Sequence, residues 1–113
     1  MDVGKTAEDH GRALSLLGLA RASGELLIGQ DQVLRAHKAG SALFMLTSCD
    51  CSINVLRRTE GNPGERRTLD AVSREKLGAA LGLNNAQIVA LPLGSGFVKK
   101  LKELLKIGGT LNG

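Results

Sequence analysis

At 113 residues the chain is short enough for one domain and long enough to bury a core without disulfide or metal staples. Fifteen Lys and Arg against eleven Asp and Glu leave a net charge of +4, which favours an acidic partner without naming one. No apolar run reaches membrane-spanning length and the start Met1-Asp2-Val3-Gly4-Lys5 is not a secretory signal, so the expectation is a cytoplasmic protein with no membrane partner.

Residues 1–9 are polar and mixed in charge and read as a flexible N-terminal tail, with the domain spanning 10–107 and a second tail over 108–113. Ala13, Leu14, Leu16, Leu17 and Ala20 recur at helical spacing, and Ser23-Gly24 ends that helix. Leu26-Leu27-Ile28 is a short buried strand by type, broken by Gly29, and a helical pattern then runs to Gly40. Ser41 to Thr47 is a continuous apolar run, as in a strand covered on both faces. Asp50 or Ser52 caps a third helix through Arg58, with Ile53, Leu56 and Val55 as its candidate buried side. Gly61-Asn62-Pro63-Gly64 is the strongest turn signal, followed by a weak strand over 66–72. Ser73 starts a fourth helix that ends near Gly82. Ala86 to Leu91 reads as another buried strand, and Gly94-Ser95-Gly96 turns into a last helix from Phe97 to Lys106. Alternating helices and two-sided apolar strands predict an α/β fold, a three-layer α/β/α sandwich around a mostly parallel sheet.

Cys49 and Cys51 are one residue apart, which argues against a structural disulfide, and no further cysteine completes a zinc site. They read as semi-buried thiols at a strand–helix junction. Phe44 and Phe97 are the only aromatics, which weighs against base stacking on a sheet. The basic excess is late in the chain. Residues 1–40 carry five basic and five acidic side chains, whereas 57–76 carry six against four and 99–106 four against one.

The strand that feeds into a helix at Gly29 carries the most chemistry. Its first turn presents free backbone N–H groups and the positive end of the dipole to anions. Asp31 and Arg35 are four apart and Gln32 and Arg35 three apart, so a carboxylate, an amide and a guanidinium share one face. Such a set hydrogen-bonds base edges and phosphates together. The plainer alternative is a first-turn Asp paired with Arg35 for helix stability.

Several blocks in order resemble the ribosomal-protein family typified by L-seven-Ae and L-thirty-e, and within it the bacterial YlxQ-like branch. They are Leu17-Gly18-Leu19-Ala20-Arg21-Ala22-Ser23-Gly24, Gly29 through Ala36, Asp50-Cys51-Ser52-Ile53-Asn54 with Arg57-Arg58, Leu77 through Gly82, and Gly96 through Leu101. The resemblance covers roughly residues 14–105. It implies a four-stranded mixed sheet and binding to kinked RNA helices called kink-turns. Residue by residue, it implies an RNA-contacting helix start at Gly29, Gln30, Asp31 and Gln32, with Arg35 at the position of the family's lysine. It also implies a second contact loop over 83–87 that includes Leu83, Asn84, Asn85 and Ala86. The chain departs from the family pattern in the order of its acid and amide at Asp31-Gln32, in Asn84-Asn85 where apolar residues cover a flipped-out base, and in Leu83 and Glu25 where lysines are common.

The expectation is therefore a monomeric, non-catalytic, cofactor-free protein that binds structured RNA, ribosomal RNA or the ribosome among the candidate partners. Arg35, Lys38 and Arg57 are the phosphate candidates, and Asp31 and Gln32 the base-edge candidates. Arg57, Arg58, Arg66 and Arg67 bracket the Gly-Pro turn as a possible phosphate rim. A family member that has lost kink-turn specificity and serves as a protein-interaction module is the alternative. A nucleotide-binding enzyme would rest on Gly94-Ser95-Gly96 alone, and Lys99 stands where a full dinucleotide fingerprint needs glycine. His37, at an expected apolar helix position, reads as a satisfied, partly buried side chain.

Overall fold

A computed structural model describes the chain over residues 3–107, with side chains described for 10–105. The elements in order are α1 (Val3–Ala22), β1 (Leu27–Ile28), α2 (Gly29–Lys38), β2 (Leu43–Ser48), α3 (Ile53–Arg58), β3 (Glu65–Leu69), α4 (Arg74–Ala80), β4 (Ile88–Pro92) and α5 (Gly96–Ile107). The backbone of α1 is helical from Val3, inside the stretch assigned to a tail. The second tail, 108–113, lies outside the described residues.

The strands form one four-stranded sheet in the order β1-β4-β2-β3. Only β2 and β3 run parallel, and β4 is antiparallel to both β1 and β2. The mostly parallel sheet expected from helix–strand alternation alone does not form, and the sheet is the four-stranded mixed one that the resemblance implies. Alternation fixes which segments are strands but not the direction in which β4 enters between β1 and β2.

All six residues of β2 are buried, as its unbroken apolar run implies for a strand covered on both faces. Its side chains divide by the two-residue pleat. Phe44 and Leu46 pack with Ala13, Leu17 and Ala20 of α1, Leu77 of α4, and Val98 and Leu101 of α5. Leu43 and Met45 pack on the other face with Val33 of α2 and Val55 of α3. The result is a three-layer sandwich with α1, α4 and α5 on one side and α2 and α3 on the other.

Local chemistry sets the boundaries. Ser52 and Ser73 cap α3 and α4, their hydroxyls accepting from the N–H groups of Val55 and Lys76. Of the buried side expected for α3, Val55 is buried, Leu56 is half-buried and Ile53 is 59% exposed. A six-residue helix has too few turns for spacing alone to select a face.

The Gly-Asn-Pro-Gly turn is pinned by Asn62. Its Oδ1 accepts from the N–H groups of Leu43 and Gly64, and its Nδ2 donates to the Ser41 carbonyl and to His37 Nδ1. This side chain ties the end of α2 to the start of β2 and satisfies the half-buried His37. Gly64 is required because a Cβ there would fall on the Leu43 carbonyl and within 2.6 Å of the Leu43 nitrogen.

Candidate functional site

The sheet register gathers three segments at one end of the molecule. Ile28 pairs with Val89, and Thr47 with Ile88, so the start of α2, the loop before β4 and the loop after β2 are neighbours. Gln87 fastens them. Its carbonyl accepts from Ser48 N–H at 2.9 Å and its Oε1 from Ser52 N–H at 2.8 Å, just ahead of α3.

Helix α2 leaves β1 through Gly29, whose φ of +85° places it in the left-handed region that glycine tolerates. Nothing stands within 4 Å of where its Cβ would be, so an approaching ligand can reach this backbone. Gln30, Asp31, Gln32, Arg35 and Lys38 are exposed, while Val33 is fully buried. Gln32 Oε1 accepts from Ile28 N–H at 3.0 Å and so closes the helix start on itself. With its oxygen engaged, Gln32 offers a partner mainly its amide N–H groups.

Asp31 and Arg35 do not form the helix pair that the plainer alternative requires. Together with Leu34, Lys38 and Arg58 they line a groove of about 370 Å³ between α2 and α3. None of these four charged groups has a hydrogen-bond or ion-pair partner among the described residues. Arg58 rather than Arg57 joins the groove. Both are exposed, but Arg57 projects elsewhere on α3.

The arginine rim divides. Arg66 donates to the Leu56 carbonyl and to Thr59 Oγ1, each at 2.7 Å, and so closes the C-terminal end of α3. Arg67, next along β3, is carried to the opposite sheet face, where it lies 3.8 Å from Glu65. Glu65 in turn meets Lys102 of α5 at 2.9 Å.

In the 83–87 loop, Leu83, Asn84 and Asn85 are exposed, but Ala86 is 4% exposed and packs in the α1–α4–α5 core. The Ala86 side chain is thus turned away from any partner at this surface. The loop folds back along α4, with Leu83 N–H donating to the Gly78 carbonyl and Ala86 N–H to that of Arg74. Gly78 permits this, because a Cβ there would lie 2.7 Å from the Asn85 nitrogen and carbonyl carbon and closer still to its Cα.

Beside the loop, Asp50 accepts from Arg74 N–H at 2.8 Å and sits 3.5 Å from its guanidinium. Desolvation works to raise the Asp50 carboxyl. The Ser48 hydroxyl, which has no partner of full hydrogen-bond geometry among the described residues, acts the other way with the Arg74 N–H and charge, and together they hold it below its ordinary value. Both cysteines are free. Cys49 is exposed rather than semi-buried, while Cys51 is half-buried, and burial pushes its thiol up against the Arg66 and Arg74 charges.

The Gly94-Ser95-Gly96 turn is occupied by the fold. Ser95 Oγ accepts from Phe97 N–H, capping α5, and donates to Glu25 Oε1 at 2.6 Å. The position where the resemblance leads one to expect lysine thus carries a carboxylate used at a helix N-terminus. Among the described residues, no group of three or more His, Cys, Asp or Glu could hold a metal ion, and no helix is long and apolar enough to cross a membrane.

Sequence reasoning names Arg58 only for the rim around the Gly-Pro turn and Gln87 only as part of the 83–87 loop, and it expects Ile53 to be buried rather than exposed at this surface. The repeated pattern of Asp31, Arg35 and Lys38 marks a stripe on α2, but which arginine of α3 faces it depends on how the helices pack.

The chain matches no protein-family model and no curated protein in sequence. Solved structures do match. A Bacillus halodurans C protein of unknown function is 28% identical, with a TM-score of 0.69 over 83% of this chain and 96% of that one. A Giardia lamblia 15.5kD RNA-binding protein is 13% identical, with a TM-score of 0.63 over 88% of this chain and 87% of that one. The chain has the fold of these two proteins.

Proposed function

We propose that the chain is a monomeric, cytoplasmic, non-enzymatic RNA-binding protein that grips a kink-turn at the start of α2, with ribosomal RNA as the natural target. The observation that carries this reading is the groove of unpaired Asp31, Arg35, Lys38 and Arg58 running from a helix start whose backbone is open at Gly29. The likeness in fold to an RNA-binding protein and the ordered sequence blocks support it. Asp31 accepts from guanine N–H groups, Gln32 donates through its free amide nitrogen, and the three cations take phosphates. Exposed Leu83, Asn84 and Asn85 form the second contact.

The test compares a kink-turn with a plain duplex of equal length at two salt concentrations. Asp31→Ala should cost roughly 1–3 kcal/mol on the kink-turn and, by removing a negative charge, slightly strengthen binding to the duplex. Arg35→Ala should weaken both and lower the salt slope by about one unit. Gln32→Glu keeps the oxygen that closes the helix but removes the donor, so it should retain stability and lose kink-turn affinity. Equal affinity of the parent protein for both RNAs across salt would leave only the phosphate term. A protein-interaction module, favoured by Ile53 at 59% and Leu83 at 37% exposure, would then take its place. Co-sedimentation with ribosomal subunits at moderate salt tests the choice of target.

A further inference from the structure

On the sheet face away from α2 and α3, α1 and α5 line two adjoining hollows of about 630 and 350 Å³ that share Leu16 and Lys100. Arg12, Leu16 and Leu19 recur at helical spacing along α1, and Phe97, Lys100 and Leu104 along α5. The ends of each stripe are seven positions apart, about 10 Å or two helical turns. Leu16, Phe97 and Leu104 are half-buried and form the floor, while Leu19 is 61% exposed at the edge. Gly11 and Gly96 leave the ends open, with nothing within 4 Å of a Cβ at either.

The rim is positive. Arg12 and Lys100 are exposed and have no hydrogen-bond or ion-pair partner among the described residues. The acidic side chain in the lining, Glu25, is engaged by Ser95. We infer that this groove docks an acidic amphipathic helix of another protein. Apolar side chains of that helix at i, i+3 or i+4, and i+7 would lie on Leu16, Leu19, Phe97 and Leu104, and its carboxylates on Arg12 and Lys100. A second copy of this chain fits poorly, because Lys100 lies in both hollows and a two-fold axis there would set it against its own copy. Nucleic acid fits poorly because the lining is largely aliphatic and its one aromatic ring, Phe97, is half-buried. The inference does not rest on RNA binding, since α2 and α3 stay uncovered.

The experiment titrates isotope-labelled protein with two synthetic helical peptides sharing one leucine pattern, flanked by Glu in one and by Lys in the other. The acidic peptide should shift amides in 11–19 and 96–104 and bind roughly tenfold tighter than the basic one, the preference shrinking with salt. Arg12→Glu with Lys100→Glu should reverse that preference. Leu19→Glu, at an exposed position, should leave thermal stability unchanged and reduce binding of the acidic peptide several-fold. Equal binding of the two peptides, no shifts at millimolar peptide, or shifts confined to α2 and α3 would overturn the inference. So would displacement of the acidic peptide by RNA, or concentration-dependent dimerisation that Leu19→Glu abolishes.

Discussion

Gly78→Ala tests how the 83–87 loop is held against α4. A methyl at this position would stand 2.7 Å from the Asn85 nitrogen and carbonyl carbon. Non-bonded carbons settle at about 3.5–4.0 Å, so the loop would have to retreat by about 1 Å. The obstructing atoms are backbone and cannot rotate aside. Retreat stretches the bonds from Leu83 N–H to the Gly78 carbonyl, 2.8 Å, and from Ala86 N–H to the Arg74 carbonyl, 2.9 Å. Helix propensity works the other way, favouring Ala by about 0.8–1 kcal/mol. Overpacking of about 1–3 kcal/mol and one or two weakened bonds at about 0.5–1.5 kcal/mol each outweigh it, for a net loss of roughly 0.5–5 kcal/mol. For a chain of this size that lowers Tm by about 4–8 °C per kcal/mol. Gly18→Ala is the control. Its Cβ would meet only the Ala80 carbonyl oxygen at 3.7 Å, an ordinary contact, so that variant should gain up to about 1 kcal/mol. Thermal and urea unfolding of both variants measures the difference, and kink-turn binding by Gly78→Ala reports the displaced loop. If Gly78→Ala is as stable as Gly18→Ala, the loop does not lie against α4 as described, and the placement of Leu83, Asn84 and Asn85 fails with it.

Asn62→Ala should destabilise the protein by roughly 2–3 kcal/mol in urea unfolding, because two partly buried N–H groups lose their acceptor together. Asp50→Asn should lower Tm at neutral pH. The parent's advantage should shrink as pH falls through the depressed Asp50 value, since a carboxyl held low in the folded state contributes above its unfolded pKa and stops contributing once protonated. A gap in Tm that stays constant from neutral to strongly acid pH would show that the Asp50 charge is not what stabilises this junction.

Features that depend on a few neighbouring residues were legible in the sequence. The unbroken run in β2 and the cap at Ser73 have a local physical cause, and the same reading narrows the α3 cap to Asp50 or Ser52, of which Ser52 supplies it. Features set by packing between distant segments were not. The direction of β4, antiparallel to β2, depends on how the chain returns to the sheet after α4. Arg66 and Arg67 look like one basic pair until the strand pleat sends them to opposite faces. Ala86 looks continuous with Asn84 and Asn85, yet the loop has by then turned inward. Glu25 looks like a free surface acid until the fold brings it to Ser95, seventy residues away, whose hydroxyl donates to it.

Charged side chains paired within the fold contrast with those in the α2–α3 groove. Most ionic groups with partners are spent on holding elements together: Asp50 on Arg74, Glu65 on Lys102, Arg66 on the end of α3 and Arg21 on the Leu81 carbonyl at the end of α4. In the α2–α3 groove a carboxylate lies among three cations and pairs with none of them. That arrangement gives the sign of a mutational effect diagnostic value. If the partner offers only phosphates, Asp31 repels it, and Asp31→Ala must strengthen binding to every RNA, most at low salt. If the partner offers base N–H donors beside its phosphates, Asp31→Ala weakens binding to the RNA that presents those donors and strengthens binding to plain duplex. An unpaired acid inside a basic groove is costly for non-specific binding and useful for recognition. The opposite responses of the two RNAs to one substitution therefore separate a recognition surface from a merely basic one.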